Sequence, residues 1–514
     1  MGAVFGSGIG VLEFAAGALS YTRQMRQSFL RTIMAGIVAV ALVSPSHGQA
    51  PEFQAGKVEI DGADYPFQLL VPAELEEGKS YPLILFLHGA GERGNDNQAQ
   101  IRHFPERMKK LQAENGAPCF VLAPQCPEDV WWNGRRARGS SGVGVSQPIP
   151  SMRAAITSLA EVVREQPIDR NRIALTGLSM GGFGSWSLAT RNPSWFSAVV
   201  PICGGGDESG IARLAGLPIQ VWHGDADTAV PTDQSRRLVK ALNKLEIPVD
   251  YHELKGVGHN SWSTAYGDKS CLDLLFNKQR DPVAMQKATA TVLANAIAKD
   301  ERIAFLGDSI TQAGDRENGY VDLIRKGIAE LRPEAVIIPA GISGHKVPDL
   351  LRRYQKDVLD KKPTMVFIYI GINDVWHSQN GKGTPIEDFE SGLRKLVQDF
   401  RAAGAVVVLA TPSVIGEKPQ GENKLDKMLD EYAAVSRVVA AQEGAVLCDL
   451  RQAFLDHLLI FNPEDKPKGI LTGDGVHLNA EGNLFVASET ARALFEAAKR
   501  RELPAPIRPA QPPK

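Results

Sequence analysis

The chain has 514 residues with 57 Lys+Arg against 59 Asp+Glu, a formal net charge of -2, and 43% hydrophobic residues. That length fits two or three domains, and the composition excludes wholesale disorder, a collagen-like chain and a multi-span membrane protein. The near-neutral balance gives no basic footprint for nucleic acid, while 49 Gly and 32 Pro imply many tight turns.

The amino end reads as a targeting segment. Met25 to Arg31 is basic, Thr32 to Val43 is an apolar run of 12 residues, and Ser44 to Ala50 is a small-residue exit. This is the pattern of a secretory signal, with cleavage expected after Gly48 or Ala50, and the run is too short to cross a bilayer. Residues 1–24 read as an upstream extension, with Met25 as an alternative start. The expected location is secreted or periplasmic, with no stable membrane insertion after cleavage. No Cys precedes Cys119, which leaves no lipid-anchor site at the cleavage point. The 5 Cys (119, 126, 203, 271, 448) form no C-x-x-C pair, so no metal site is expected. Spacing leaves a Cys119–Cys126 disulfide undecided.

From 51 to 298 apolar runs alternate with helical stretches. The strand candidates are Pro82–His88, Cys119–Ala123, Arg172–Thr176, Ala198–Ile202, Ile219–His223 and Val249–Glu253. Ser151–Gln166 and Thr232–Lys244 read as helices between them, and Asp281–Ala298 as a closing helix. Strands alternating with helices predict a parallel sheet covered on both faces. The pattern restarts at Arg302. Strands are expected at Arg302–Leu306, Ala335–Ile338, Met365–Ile370, Val406–Ala410 and Ala445–Asp449, and helices at Asp388–Ala403, Leu425–Glu443 and Ala480–Arg500. The second unit spans 299–502, and 503–514 is a Pro-rich tail.

In the first unit, Arg172-Ile-Ala-Leu-Thr-Gly177-Leu-Ser179-Met-Gly181 is a strand running into G-x-S-x-G and then a helix. A serine on that sharp turn projects its hydroxyl outward, and the glycines are needed where side chains would collide with backbone. Upstream, His88-Gly89-Ala90-Gly91 ends a strand in a loop that can aim the Ala90 N–H at an oxyanion, completed by the N–H of Met180. Downstream come His223-Gly-Asp225-Ala-Asp227 and Gly258-His259, in the order serine, acid, histidine. Residue order alone leaves Asp225 and Asp227 open as the acid. These blocks resemble the α/β-hydrolase carboxylesterases of the dienelactone-hydrolase and feruloyl-esterase type over about residues 57–280. In that family H-G-x-x-D-x-x-V-P carries the acid, which implies Asp227, with Asp225 as a loop brace. His88 and His223 read as structural, and His103 and His252 as surface residues. One of the adjacent Trp131 and Trp132, in a loop with Arg135 and Arg136, could wall an aromatic acyl group or a sugar ring.

In the second unit, Gly307-Asp308-Ser309 follows the first strand, Gly371-Ile-Asn373-Asp374 follows a buried one, and Asp474-Gly-Val-His477 lies near the end. Three-residue spacing lets one turn present acid and base together to Ser309. These blocks resemble the SGNH (GDSL-type) hydrolases over about residues 300–500. The resemblance implies a flavodoxin-like three-layer α/β/α fold, and an oxyanion hole from the N–H groups of Ser309 and Gly344 and the Asn373 amide. Pro339 departs from the family, which often has Asn there. Asp308 reads as a loop brace, and His345 and His377, which could line the acyl site, read rather as surface residues.

The expected fold class is therefore α/β, with an α/β-hydrolase domain followed by an SGNH domain. The expected function is a bifunctional serine esterase without cofactor, acting on acylated carbohydrate or another ester. Its rivals are a peptidase in the first unit, or a non-catalytic glycan-binding module in either.

Overall fold

The computed structural model describes residues 50–115, 118–134 and 148–502. The expected leader up to Gln49, the tail, and Arg135 and Arg136 lie outside them. The chain forms two compact units. The first runs to Ala288 and takes in Glu417–Glu422 and Leu455–Ile470; the second holds Thr289–Gly416, Asn423–Phe454 and the chain from Leu471. The division falls inside the helix Pro282–Ala296, earlier than the boundary expected at 298.

The first unit is built on eight strands: β1 (Glu52–Ile60), β2 (Ala63–Val71), β3 (Tyr81–Leu87), β4 (Phe120–Pro124), β5 (Ile168–Leu178), β6 (Ala198–Ile202), β7 (Gln220–Gly224) and β8 (Asp250–Leu254). They lie in the order β1-β2-β4-β3-β5-β6-β7-β8. From β4 to β8 the neighbours are parallel. Strands β3, β4 and β6 are buried at every position, which is why they read as unbroken apolar runs. Helices Pro150–Glu165, Met180–Arg191 and Asp233–Lys244 alternate with them.

The six strands expected from sequence are parallel, but the sheet as a whole is mixed, because two strands not anticipated join its edge. β1 and β2 form an antiparallel hairpin in register from Ile60↔Ala63 to Glu52↔Val71, and β2 runs antiparallel to β4. Asp61 and Gly62 make its turn with φ of 55° and 81°. Two left-handed residues in a two-residue loop match the twist of the flanking strands, and Asp-Gly supplies them cheaply. That dipeptide was a readable signal, but β1 is half exposed and carries few apolar residues, so it lacks the buried-strand pattern.

The second unit has five strands: β9 (Arg302–Gly307), β10 (Val336–Gly341), β11 (Met365–Tyr369), β12 (Val406–Ala410) and β13 (Val446–Cys448). They are all parallel, in the order β10-β9-β11-β12-β13, the doubly wound order of flavodoxin-like folds. Helices Tyr320–Ala329, Val347–Asp357, Ile386–Ala402, Asp426–Gln442 and Ala480–Glu502 accompany the sheet. Pro339 pairs with Phe305 on the edge strand β10, where a missing N–H breaks no ladder.

Ser179, Asp227 and His259 in the first unit, and Ser309, Gly344 and Asn373 in the second, follow the carboxyl ends of parallel strands, where open α/β sheets place their sites, whereas Asp474 and His477 lie in the loop between the helices Leu450–Phe461 and Ala480–Glu502. All five cysteines are free and buried, so Cys119 and Cys126 are not bridged. Among the described residues no helix is long and apolar enough to cross a membrane.

Candidate active sites

The first site begins at the turn after β5. Ser179 has φ 53° and ψ -116°, a conformation that costs a non-glycine residue on the order of 1–3 kcal/mol. The surroundings impose it. A Cβ on Gly181 would lie 1.8 Å from the Leu87 carbonyl oxygen, so only glycine lets the following helix sit this close to β3. The Ser179 N–H donates to Ile202 O (2.9 Å), fixing the turn against β6.

Asp227 and His259 arrive on loops after β7 and β8. His259 Nε2 is 3.0 Å from Ser179 Oγ, and His259 Nδ1 is 2.7 Å from Asp227 Oδ2. Asp227 Oδ1 accepts from the N–H groups of Ala229 (2.8 Å) and Val230 (2.9 Å). Burial pushes the Asp227 carboxyl up, but the His259 hydrogen bond and these N–H groups outweigh it and hold the group below the usual carboxylate range. Asp225 is exposed and accepts from the Gly256 N–H at 2.6 Å, tying down the loop that carries His259. The geometry thus separates the two candidate acids.

Met180 opens the helix Met180–Arg191, where first-turn N–H groups lack intrahelical acceptors. Ala90 opens a short turn, Ala90–Glu92, and its carbonyl accepts from Arg93 Nε (2.9 Å). His88 is fully buried. Its Nε2 accepts from the Cys126 N–H (2.9 Å), and its Nδ1 lies 2.6 Å from Gly89 O, which makes it a neutral brace. Burial pushes its pKa down to about 4. His223 is likewise buried, between Ser235 Oγ (2.8 Å) and Val230 O (3.0 Å), and near Asp227 Oδ2 (3.2 Å).

The two tryptophans divide. Trp132 is 1% exposed and donates its indole N–H to His88 O (3.0 Å). It is a packing residue, which corrects its candidacy for substrate. Trp131 is half-buried and meets Phe183, on the first turn after Ser179, edge-on at 6.0 Å. Sequence reasoning missed Trp262, whose ring lies 5.3 Å from that of His259 at 89°, although it follows His259 by only three positions. Trp262 also packs on His103 (5.4 Å). His252 is not a plain surface residue either: it stacks on Trp222 at 3.9 Å.

The second site follows β9. Asp308 caps the helix Ser309–Gly314 by accepting from the Ile310 N–H (2.9 Å). Ser309 Oγ is 2.9 Å from His477 Nε2, and His477 Nδ1 is 2.7 Å from Asp474 Oδ2. Asp474 Oδ1 accepts from the N–H groups of Val476 (2.9 Å) and His477 (2.7 Å). Burial pushes this carboxyl up, yet the His477 ring and the two N–H groups bring it down to about 2. The turn is clamped by Gly473 N–H to His477 O (2.8 Å) and Asn479 N–H to Leu471 O (3.0 Å).

Gly344 is exposed with φ 77°. Asn373, 4% exposed, donates one amide proton to His345 O (3.1 Å), which leaves the second for a ligand. His345 and His377 are half-buried rather than surface residues, and His345 Nδ1 accepts from Arg353 Nε (3.0 Å). Trp376, not anticipated from sequence, lies 6.5 Å from His477. Asp308 and Asp374 are buried side chains. Burial raises Asp308 to about 7 and Asp374 to about 6.

Residues 305–484 match the GDSL-like Lipase/Acylhydrolase family, and residues 73–269 the Phospholipase/Carboxylesterase family. An acetylxylan esterase of Geobacillus stearothermophilus is 30% identical over 224 residues, covering 40% of this chain and 99% of that protein. A probable feruloyl esterase C of Aspergillus niger is 28% identical over 216 residues, 40% of this chain and 72% of that one. Among solved structures, a thermostable esterase is 36% identical across 44% of this chain and 63% of its own, with a TM-score of 0.40.

Two predictions follow from the geometry. Asp227→Asn removes the group that orients His259 and should lower first-site turnover by about 10⁴, while Asp225→Asn, which still leaves an acceptor for Gly256, should be mild. Steady-state kinetics on folded variants checks the ranking, and the reverse order would reassign the acid. Separately, a carboxyl whose folded pKa is raised binds a proton that the unfolded chain has released. The stability these two groups contribute therefore falls as pH rises from about 4, the unfolded value, through the folded values near 6 for Asp374 and 7 for Asp308, by up to about 1.4 kcal/mol per pH unit per group. Asp474 acts in the opposite sense and only below pH ~4. Calorimetry from pH 5 to 8 should show Asp308→Asn gaining stability relative to the wild type as pH rises towards 7, since buried histidines such as His88 titrate in the opposite sense and are common to both chains; a difference between the two that does not change with pH would remove Asp308 as a source.

Proposed function

We propose, for a chain that belongs to the GDSL-like lipase/acylhydrolase family through residues 305–484 and to the phospholipase/carboxylesterase family through residues 73–269, that each domain, 51–298 and 299–502, is a separate ester hydrolase with its own serine nucleophile. One observation carries this reading. The same relay occurs twice, with serine Oγ 3.0 and 2.9 Å from a histidine Nε2, and the histidine Nδ1 2.7 Å from an aspartate in both.

In each site the histidine takes the serine proton as Oγ attacks the ester carbonyl, and the aspartate holds the imidazole in the tautomer that can accept it. The negative charge on the carbonyl oxygen is met by the N–H groups of Ala90 and Met180 in the first site. In the second it is met by the N–H groups of Ser309 and Gly344 and the free proton of the Asn373 amide. The histidine then protonates the departing alcohol, and water repeats the sequence on the acyl-enzyme. No step calls for a metal or organic cofactor. Complete relays in both units count against either being a module that only binds glycan.

The substrate is acylated carbohydrate, from which the two sites remove acetyl and feruloyl groups. Support comes from the names of similar proteins, an acetylxylan esterase and a probable feruloyl esterase, and from the half-buried Trp131, which packs edge-on against the buried Phe183 of the helix that Ser179 leads into and offers an aromatic acyl group a ring to pack on. Residues 25–50 export the chain to the periplasm or the medium.

Ser179→Ala should abolish one ester activity and leave the other nearly intact, and Ser309→Ala should do the converse. The assay is hydrolysis of acetyl and feruloyl esters by purified, folded variants. Loss of all activity in either single variant would overturn the two-site reading.

A further inference from the structure

The second site is assembled from segments that follow different strands. Ser309 follows β9, whereas Gly344 lies in the loop 342–346 that follows β10. For both N–H groups to reach one oxyanion, those segments must hold their separation to a fraction of an ångström. Backbone contacts do part of this: the Ile342 N–H donates to Gly307 O (3.2 Å), and the Ser343 N–H to Gln312 Oε1 (3.1 Å).

One side chain touches both segments. Arg353, on the helix Val347–Asp357, donates from Nη2 to Gly307 O (2.9 Å) and from Nε to His345 Nδ1 (3.0 Å). Its Nη1 is held by Asp357 Oδ2 (3.0 Å), and its side chain is only 11% exposed. Gly307 O belongs to the peptide that leads into Asp308 and Ser309. His345 is the neighbour of Gly344, and its carbonyl is held in turn by the Asn373 amide (3.1 Å). A guanidinium is a rigid plane whose donors point in fixed directions, so bonding both acceptors fixes one against the other. Since Nδ1 accepts from a cation, the His345 ring is neutral; burial and the Arg353 charge both keep it so.

We propose that Arg353 is a positioning residue of the second site, a single guanidinium that sets the distance between the nucleophile turn and the oxyanion loop. The proposal rests on the reading of Ser309 as nucleophile and Gly344 as oxyanion donor. It assigns Arg353 no contact with substrate.

The test uses the full chain in a Ser179→Ala background with an acetyl ester. Arg353→Ala should lower kcat by about 10²-fold, the cost of a displacement near 1 Å, with KM little changed, because the oxyanion forms only after binding. Arg353→Lys keeps the charge and the stem but cannot span both acceptors, so it should recover only part of the loss. His345→Phe removes one acceptor alone. It should give a smaller kcat loss that does not add to that of Arg353→Ala, and it carries the test if Arg353→Ala fails to fold. Full kcat in folded Arg353→Ala and His345→Phe, a change confined to KM, or a loss that follows melting temperature and is fully restored by lysine would each overturn the proposal. The Ser309→Ala control must be silent. Residual turnover there overturns the reading of the site itself, and the proposal with it.

Discussion

A serine hydroxyl becomes a useful nucleophile when a neutral imidazole lies about 3 Å away with its far nitrogen held by a carboxylate. Meeting that condition twice governs where this chain places its strand ends. The first unit uses three of them, after β5, β7 and β8, with acid and base 32 residues apart. The second takes acid and base from one turn, 168 residues from the serine. A tight turn suffices in the second case because Asp474 reaches both the ring and the backbone N–H of the same histidine. In the first, Asp227 and His259 ride on separate loops, and Asp225 binds one loop to the other.

The two acids also differ in exposure. The Asp227 side chain is buried, whereas that of Asp474 is 52% exposed. Neither is left without donors, since each receives two backbone N–H bonds besides the imidazole. Those bonds stabilise the charged form against desolvation, so each carboxylate stays ionised, as the proposed general-base role of its histidine requires. Asp308 lies at the opposite extreme. It is buried with one N–H partner given by its cap, and its proton is correspondingly hard to remove.

The sequence made legible those features in which a few residues answer one steric or chemical demand. G-x-S-x-G is readable because Gly181 must admit the Leu87 carbonyl, and D-x-x-H because a short turn can join acid and base. Strands β3, β4, β6, β9 and β12 are readable because they are buried over nearly their whole length. The β1–β2 hairpin escaped because β1 is buried at only two positions and β2 only over Phe67–Leu70, interrupted by Gln68, leaving Asp61-Gly62 as the clearest local signal. Trp131 and Trp132 are indistinguishable in sequence. The burial of Trp132 and the hydrogen bond from its indole to the His88 carbonyl separate it, as a core residue, from the half-buried Trp131. Arg353 is one of two adjacent arginines on an amphipathic helix. Its two distant acceptors, Gly307 and His345, come together only through the β9–β10 pairing.

The most direct measurement is the intact mass of the full chain after saturation with a fluorophosphonate, which bonds covalently to activated serines. Two adducts per wild-type chain, one mapped by peptide sequencing to Ser179 and one to Ser309, with one adduct lost in each alanine variant, is the result expected of two competent relays. A single adduct at saturation, or adducts on other serines, would contradict the presence of two independent nucleophiles.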